Sequence, residues 1–293
     1  MWFTYSLLTI FAWGGSDLFT KMGTDPNDNL SHWRVVIMVG VVMGLHATGV
    51  LLFSNPGFTL MDVIAYLPVS FMYILSMVLG YAGLRYIELS VSSPVCNSSG
   101  AVAAVLCFLF LGQTMEGIQI AAVVMISGAL VALAVLERRY SIDEINKEDK
   151  KYRYGLLALI FPLLYCVIDG VGSTMDAYFL ENIIDEDRAN IAYEYTFLVA
   201  AAFSYVYLRF IKKRRFRFFE EKKFALGAIC ETAGQFTYIR AMSENAIVAA
   251  PMIASYSVFS MILSRIFLKE KLKTAQYIAI AVVMAGIFIL GME

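Results

Sequence analysis

The chain has 293 residues, 59% of them hydrophobic, with a mean hydropathy of +0.68 and a formal net charge of −1. Soluble domains hold about 45–50% apolar residues, so this chain carries more apolar surface than one water-soluble core can hide, and lipid must take the excess. The basic residues sit in short loops between apolar runs, which argues against a nucleic-acid-binding face. The four cysteines form no CxxC pair, which argues against a disulfide framework or a metal cluster.

A helix needs about 20 apolar residues to cross the hydrocarbon core. Taken in order, the apolar runs predict ten such helices, over 2–21, 34–54, 62–86, 90–111, 116–136, 154–179, 190–210, 224–241, 246–268 and 274–291. These runs are too long for the short strands of a membrane barrel. The expected fold class is an all-α polytopic membrane protein. The first run begins at Met1 with no basic region before it and no small-residue cleavage site after it, so it is expected to be retained as a helix.

Two polar stretches interrupt the pattern. The first, ERRYSIDEINKEDKKYR, runs from Glu137 to Arg153 and cuts the chain nearly in half. It predicts a first unit over 1–136, a charged linker over 137–153 and a second unit over 154–293. The second, RFIKKRRFRFFEEKK, runs from Arg209 to Lys223 and reads as a solvated loop on acidic headgroups.

The two halves repeat. A shift of 157 residues places Tyr81 on Tyr238, Pro94 on Pro251, Gln119 on Gln276, and Phe110-Leu111-Gly112-Gln113 on Phe267-Leu268-Lys269-Glu270. In the leading helix of each half the shift is 152, and Trp13-x-x-x-Asp17 falls on Tyr165-x-x-x-Asp169. Two five-helix halves enter the membrane from opposite sides, because five is odd. That is the inverted repeat of many secondary transporters.

Three segments carry a family resemblance over nearly the whole chain. They are FAWGGSDLFTK (11–21), GLRYIELSVSSPV (83–95) leading into FLFLGQTMEGIQIAAVVMISGALVAL, and APMIASYSVFSMILSRIFLKEKLKTAQYIAIAVVMAGIFIL (250–290). The chain resembles the EamA-type members of the drug/metabolite transporter superfamily. The resemblance implies ten helices, two inverted repeats and a central substrate cavity. It leaves the substrate open among amino acids, nucleotide-linked sugars, organic cations and drugs.

Of the 23 Lys and Arg residues, 21 fall at the odd-numbered connections between the predicted helices, and Arg188 and Arg240 alone fall at the even ones. The positive-inside rule then places the odd connections, including 137–153 and 209–223, in the cytoplasm and both termini outside. The family usually keeps both termini inside. Either this chain inserts the other way up, or the helix count is off by one at the start.

Ionisable groups within membrane spans are costly and mark function. Here they are Asp17, His46, Asp169, Asp176, Glu194 and Glu231. Trp13 and Tyr165 each precede an aspartate by four residues, on the same helix face. A carboxylate beside an aromatic ring suits a cation, or it binds and releases a proton. The bland alternative is that Asp17 caps its helix or pairs with Lys21. Glu231, Gln235 and Tyr238 share one stripe and read as a cavity wall, or as structural hydrogen bonds between helices. Asp176 and Glu194 sit nearer helix ends, where gating or solvated roles are expected. Pro94 followed by Asn97, Ser98 and Ser99, and Ala249-Ala250-Pro251 leading to Ser255-Tyr256-Ser257, mark two helices that loosen where a substrate binds, or that pack through small residues.

The candidate substrate-binding or proton-coupling residues are therefore Glu231, Asp169, Asp17, Gln235, Trp13, Tyr165, Tyr81, Tyr238, Asn97 and Tyr256. No P-loop or hydrolase motif is present in the sequence. No catalytic residue, cofactor or metal is expected. The reading is a secondary transporter working by alternating access on a small metabolite, cationic or zwitterionic because the spans hold acids and no mid-span base. The alternatives are a proton-coupled exporter of neutral metabolites and a non-transporting receptor or assembly protein of the same fold. The expected partners are the substrate, the lipid bilayer and a coupling proton, with no nucleic acid, in a monomer or homodimer. The expected location is a prokaryotic inner membrane.

Overall fold

The structure, a computed structural model, describes residues 1–25, 28–54, 56–84, 89–145 and 160–292, with 90, 91, 134 and 136–145 as backbone only. Among the described residues there is no strand. The helices are α1 (Trp2–Gly23), α2 (Ser31–Phe53), α3 (Leu60–Gly83), α4 (Leu89–Asn97), α5 (Ser99–Leu106), α6 (Gly117–Ile145), α7 (Ile160–Asn182), α8 (Glu186–Val206), α9 (Lys222–Ala254), α10 (Tyr256–Leu263) and α11 (Thr274–Leu290). A helix satisfies its own backbone, which is the condition for crossing lipid.

Six helical stretches among the described residues are long and apolar enough to cross a membrane: Ser31–Phe53, Leu60–Gly83, Ser92–Leu111, Ile160–Asn182, Glu186–Ile211 and Lys222–Leu268. Gly117–Leu133 and Thr274–Leu290 are shorter apolar helices. The outer surface is apolar, with Phe53, Phe71, Phe110, Phe203 and Phe288 all more than half exposed. Water-soluble proteins do not tolerate so large an exposed apolar surface. This is an integral, multi-pass membrane protein.

Two boundaries differ from those expected. The helices expected over 224–241 and 246–268 meet with no loop between them: α9 is two helical stretches joined at a kink at Asn245 (φ −162°, ψ 77°), the second reaching Ala254. The helix α6 continues past 136 to Ile145, into the expected linker. The remainder of that linker, and Arg85, lie outside the described residues.

The 157-residue shift reappears in backbone detail. Cys107–Leu111 and Ser264–Leu268 are both single π-helical turns. Each ends on a left-handed residue, Gly112 (φ 66°) and Lys269 (φ 59°). In each, the next residue's amide closes the turn at 3.4 Å, Gln113 N to Cys107 O and Glu270 N to Ser264 O. The following helices start alike: Gln119 Oε1 accepts from Glu116 N at 3.0 Å, and Gln276 Oε1 from Lys273 N at 2.6 Å.

Helices from before and after residue 150 interleave. The helix α1 packs along α9 and against α10, while α7 packs along α3 and against α5. The helices α2 and α8 pack together, as do α6 and α11. Small residues permit the closest approaches. A Cβ on Gly40 would lie 2.4 Å from Phe197 O and 2.5 Å from the Ala201 Cβ, so α2 and α8 touch backbone to backbone there.

Candidate functional site

Two helix breaks face the middle of the bundle. The α4–α5 break falls at Ser98 (φ −61°, ψ −9°) and the α9–α10 break at Ser255 (φ −67°, ψ −6°). Each lies four residues beyond a proline, Pro94 and Pro251, whose missing N–H removes a hydrogen bond of the helix. The α5 and α9 segments cross in contact, since a Cβ on Gly100 would lie 2.6 Å from the Ala254 Cβ. These breaks leave room for a cavity.

The cavity leaves about 80 Å³ for the centres of water-sized molecules, room for several waters or a small ligand. All ten candidate residues line it: Trp13, Asp17, Tyr81, Asn97, Tyr165, Asp169, Glu231, Gln235, Tyr238 and Tyr256. It also takes Tyr73, Tyr193 and several serines that sequence reasoning passed over. Among the described residues, no Lys, Arg or His lines it.

Each carboxylate is held from a distant helix. Asp17 Oδ2 accepts from Ser93 Oγ and Ser260 Oγ, both at 2.7 Å. Asp169 accepts from Ser99 Oγ at 2.8 Å and Ser76 Oγ at 3.2 Å. Glu231 is 8% exposed and accepts from Ser16. A serine gives one proton, so these bonds fix the carboxylates and leave lone pairs for a ligand. Lys21 donates to Leu84 O at 2.6 Å.

Aromatic rings surround the acids. The Trp13 ring lies 5.0 Å from Tyr238 and 5.6 Å from Tyr256, and its Nε1 donates to Glu231 O at 3.3 Å. Gly234 makes room for that indole, since a Cβ there would lie 2.3 Å from Trp13 Cδ1. Asn97 Nδ2 donates to Ser93 O at 2.8 Å. Two buried polar atoms of the wall, Tyr81 Oη and Gln235 Nε2, have no protein hydrogen-bond partner.

Asp176 and Glu194 depart from expectation: both are fully buried. Tyr66 Oη donates to Asp176 Oδ1, and Tyr73 Oη donates to Oδ2 at 3.2 Å. Tyr73 Oη also bonds Tyr238 Oη at 2.5 Å, which joins Asp176 to the cavity wall. Glu194 receives His46 Nδ1 at 2.8 Å and Asn190 Nδ2 at 3.1 Å, and it ties α2 to α8 apart from the cavity. The spans' polar spacing gave no sign of this, because the partners come from other helices.

Polar contacts gather the connections at two ends of the bundle. At one end Arg34 bonds Glu221 at 2.9 Å, Lys223 donates to Met22 O at 2.9 Å, and Leu89 N donates to Glu270 at 3.4 Å. At the other, Arg188 pairs with Asp62 at 3.4 Å, Arg240 with Asp187 at 2.7 Å, and the Met1 amine with Glu244 at 3.0 Å.

Residues 187–292 match the model of the EamA-like transporter family. No curated protein matches the chain. A solved structure, described only as a crystal structure of a protein, is similar over 99% of this chain and 96% of its own, with a TM-score of 0.70 and 13% identity. At that identity the likeness carries the fold alone.

Proposed function

We propose that this membrane protein, whose residues 187–292 match the EamA-like transporter family, is a secondary transporter that moves a small cationic or zwitterionic molecule across the membrane. The observation that carries this reading is the cavity: three carboxylates, Asp17, Asp169 and Glu231, stand among aromatic rings, and no basic side chain lines it among the described residues. Carboxylates and ring faces together attract an ammonium group. An anionic substrate would want Arg or Lys there.

Alternating access between two inverted five-helix halves is part of the proposal. The shared π turns and helix caps 157 residues apart support the repeat. The exchanged packing of α1 with α9 and α7 with α3 supports halves that rock about a shared site. The gathering of odd-numbered connections at one end supports ten crossings. With 21 basic residues assigned to that end, it is the cytoplasmic face. The membrane is then a prokaryotic inner membrane, and the transporter works as a monomer or homodimer with a proton as coupling partner.

A thermal-shift screen of the purified protein tests the ligand class. Amines, quaternary ammonium compounds, amino acids, sugars and organic phosphates are compared at two pH values. A ligand that binds the folded state raises the melting temperature by mass action. Shifts confined to cationic or zwitterionic compounds, weakening at low pH, are expected. Shifts confined to neutral or anionic compounds would overturn the reading.

A further inference from the structure

The cavity presents two like half-sites rather than one. Asp17 and Asp169 lead corresponding helices of the two halves, each with a ring one turn before it, Trp13 and Tyr165. Each is anchored to the broken helix α4–α5, Asp17 through Ser93 and Asp169 through Ser99. Those serines are six positions apart. At about 1.5 Å per residue, the serines stand roughly 9 Å apart along that helix, so the two carboxylates are held at two separate levels of the cavity.

That separation decides between ligands. A charged hydrogen bond spans about 2.8 Å, so one ammonium group touching both carboxylates needs them within roughly 5.6 Å. A monoamine therefore engages one aspartate and leaves the other with its serine donors but no counter-charge, which is costly for a buried charge. Two ammonium groups on one chain engage both. With carbon–carbon bonds of about 1.5 Å, an aliphatic chain of roughly three to five carbons closes the gap. The wall between the ends is independently incomplete. Gln235 is 3% exposed and Tyr81 9%, both line the cavity, and Gln235 Nε2 and Tyr81 Oη lack a protein partner. The Tyr81 oxygen can accept an ammonium proton.

We propose that this cavity binds an elongated aliphatic dication, with one ammonium group on Asp17 and the other on Asp169. The proposal rests on the cation reading above and narrows it to a two-ended substrate.

The test is titration calorimetry on the purified full-length protein with three probes of one length: 1,4-diaminobutane, 1-aminobutane and 4-aminobutanoate. The diamine is expected to bind at least about tenfold more tightly than 1-aminobutane, the low end of what a close charge pair adds. The 4-aminobutanoate, with a carboxylate facing the second aspartate, is expected to bind more weakly than 1-aminobutane. Asp17→Asn and Asp169→Asn are each expected to remove the diamine's advantage. The series on the unmodified protein decides even where a variant fails to fold. Equal binding of diamine and monoamine would overturn the dication and leave the cation reading standing. Tightest binding of 4-aminobutanoate would overturn it in favour of a zwitterion. Binding of none of the three, with neutral or anionic ligands binding instead, would overturn both readings.

Discussion

Ser260 donates to Asp17 at 2.7 Å across 243 residues of chain. Its counterpart is Ser99, which donates to Asp169 at 2.8 Å. The acid of α1 is thus held by a serine of α10, and the acid of α7 by a serine of α5. Removing a donor from a buried carboxylate costs about 1–3 kcal/mol. Ser260→Ala and Ser99→Ala are each expected to lower the melting temperature. Because they serve separate carboxylates, their effects should add to within about 0.5 kcal/mol. Melting of both single variants and the double variant checks this.

Tyr73 is the hydroxyl between Asp176 and Tyr238. In Tyr73→Phe, Asp176 loses one of its donors and its link to the cavity wall. A loss of about 1–3 kcal/mol is expected. Tyr195→Phe removes only a surface bond to Thr48, and should change stability by less than about 0.5 kcal/mol. Parallel melting curves of the two variants test the contrast.

Glycines in α2 give a packing test. Gly40→Ala would force a Cβ against the backbone of α8, and a loss of about 1–3 kcal/mol or more follows from overpacking. Gly49 has nothing within 4 Å of where its Cβ would stand. There Gly49→Ala should be neutral or stabilise by up to about 1 kcal/mol. Yield of folded protein and melting temperature read both outcomes.

Asp185 caps the start of α8, accepting from Arg188 N at 3.0 Å and Arg188 Nε at 2.5 Å. Partial burial pushes its carboxyl up, but the hydrogen bonds and charge of Arg188 outweigh this and hold it below the usual carboxylate range. A group depressed by folding stabilises above its unfolded pKa and loses that contribution as pH falls through its folded value. Asp185→Ala should cost about 0.5 kcal/mol near neutral pH, the low end for a cap because the side chain is half exposed. The difference from the unmodified protein should shrink as the medium becomes acidic, which melting curves over an acid series record.

Much of the cavity's lining was legible in the sequence. An acid within an apolar run is conspicuous, and a ring four residues before it shares its face, so Asp17 with Trp13 and Asp169 with Tyr165 stood out. The two helix breaks were legible through Pro94 and Pro251, whose effect on the backbone is local. Other features depend on partners far along the chain. The burial of Asp176 needs Tyr66 and Tyr73, 110 and 103 residues away, and that of Glu194 needs His46, 148 residues away. The tightness of the junction at Asn245 was hidden because a short polar run resembles a loop, whereas the two helical stretches of α9 meet there at a single non-helical residue. The extension of α6 into charged residues was hidden because the end of a membrane span does not end a helix. Beyond the lipid, Glu and Arg continue it readily.

The central claim is that the acid-lined cavity carries a cation across the membrane. Counterflow in proteoliposomes tests it most directly, with unlabelled 1-aminobutane or 1,4-diaminobutane inside and a trace of the labelled amine outside. The unmodified protein is expected to accumulate label above protein-free vesicles, and Glu231→Gln, folded and reconstituted to the same level, to lose at least about tenfold of that rate, as for a lost charge contact of about 1.4 kcal/mol or more. Unchanged flux in Glu231→Gln, or accumulation of neutral or anionic metabolites and of no amine, would contradict it.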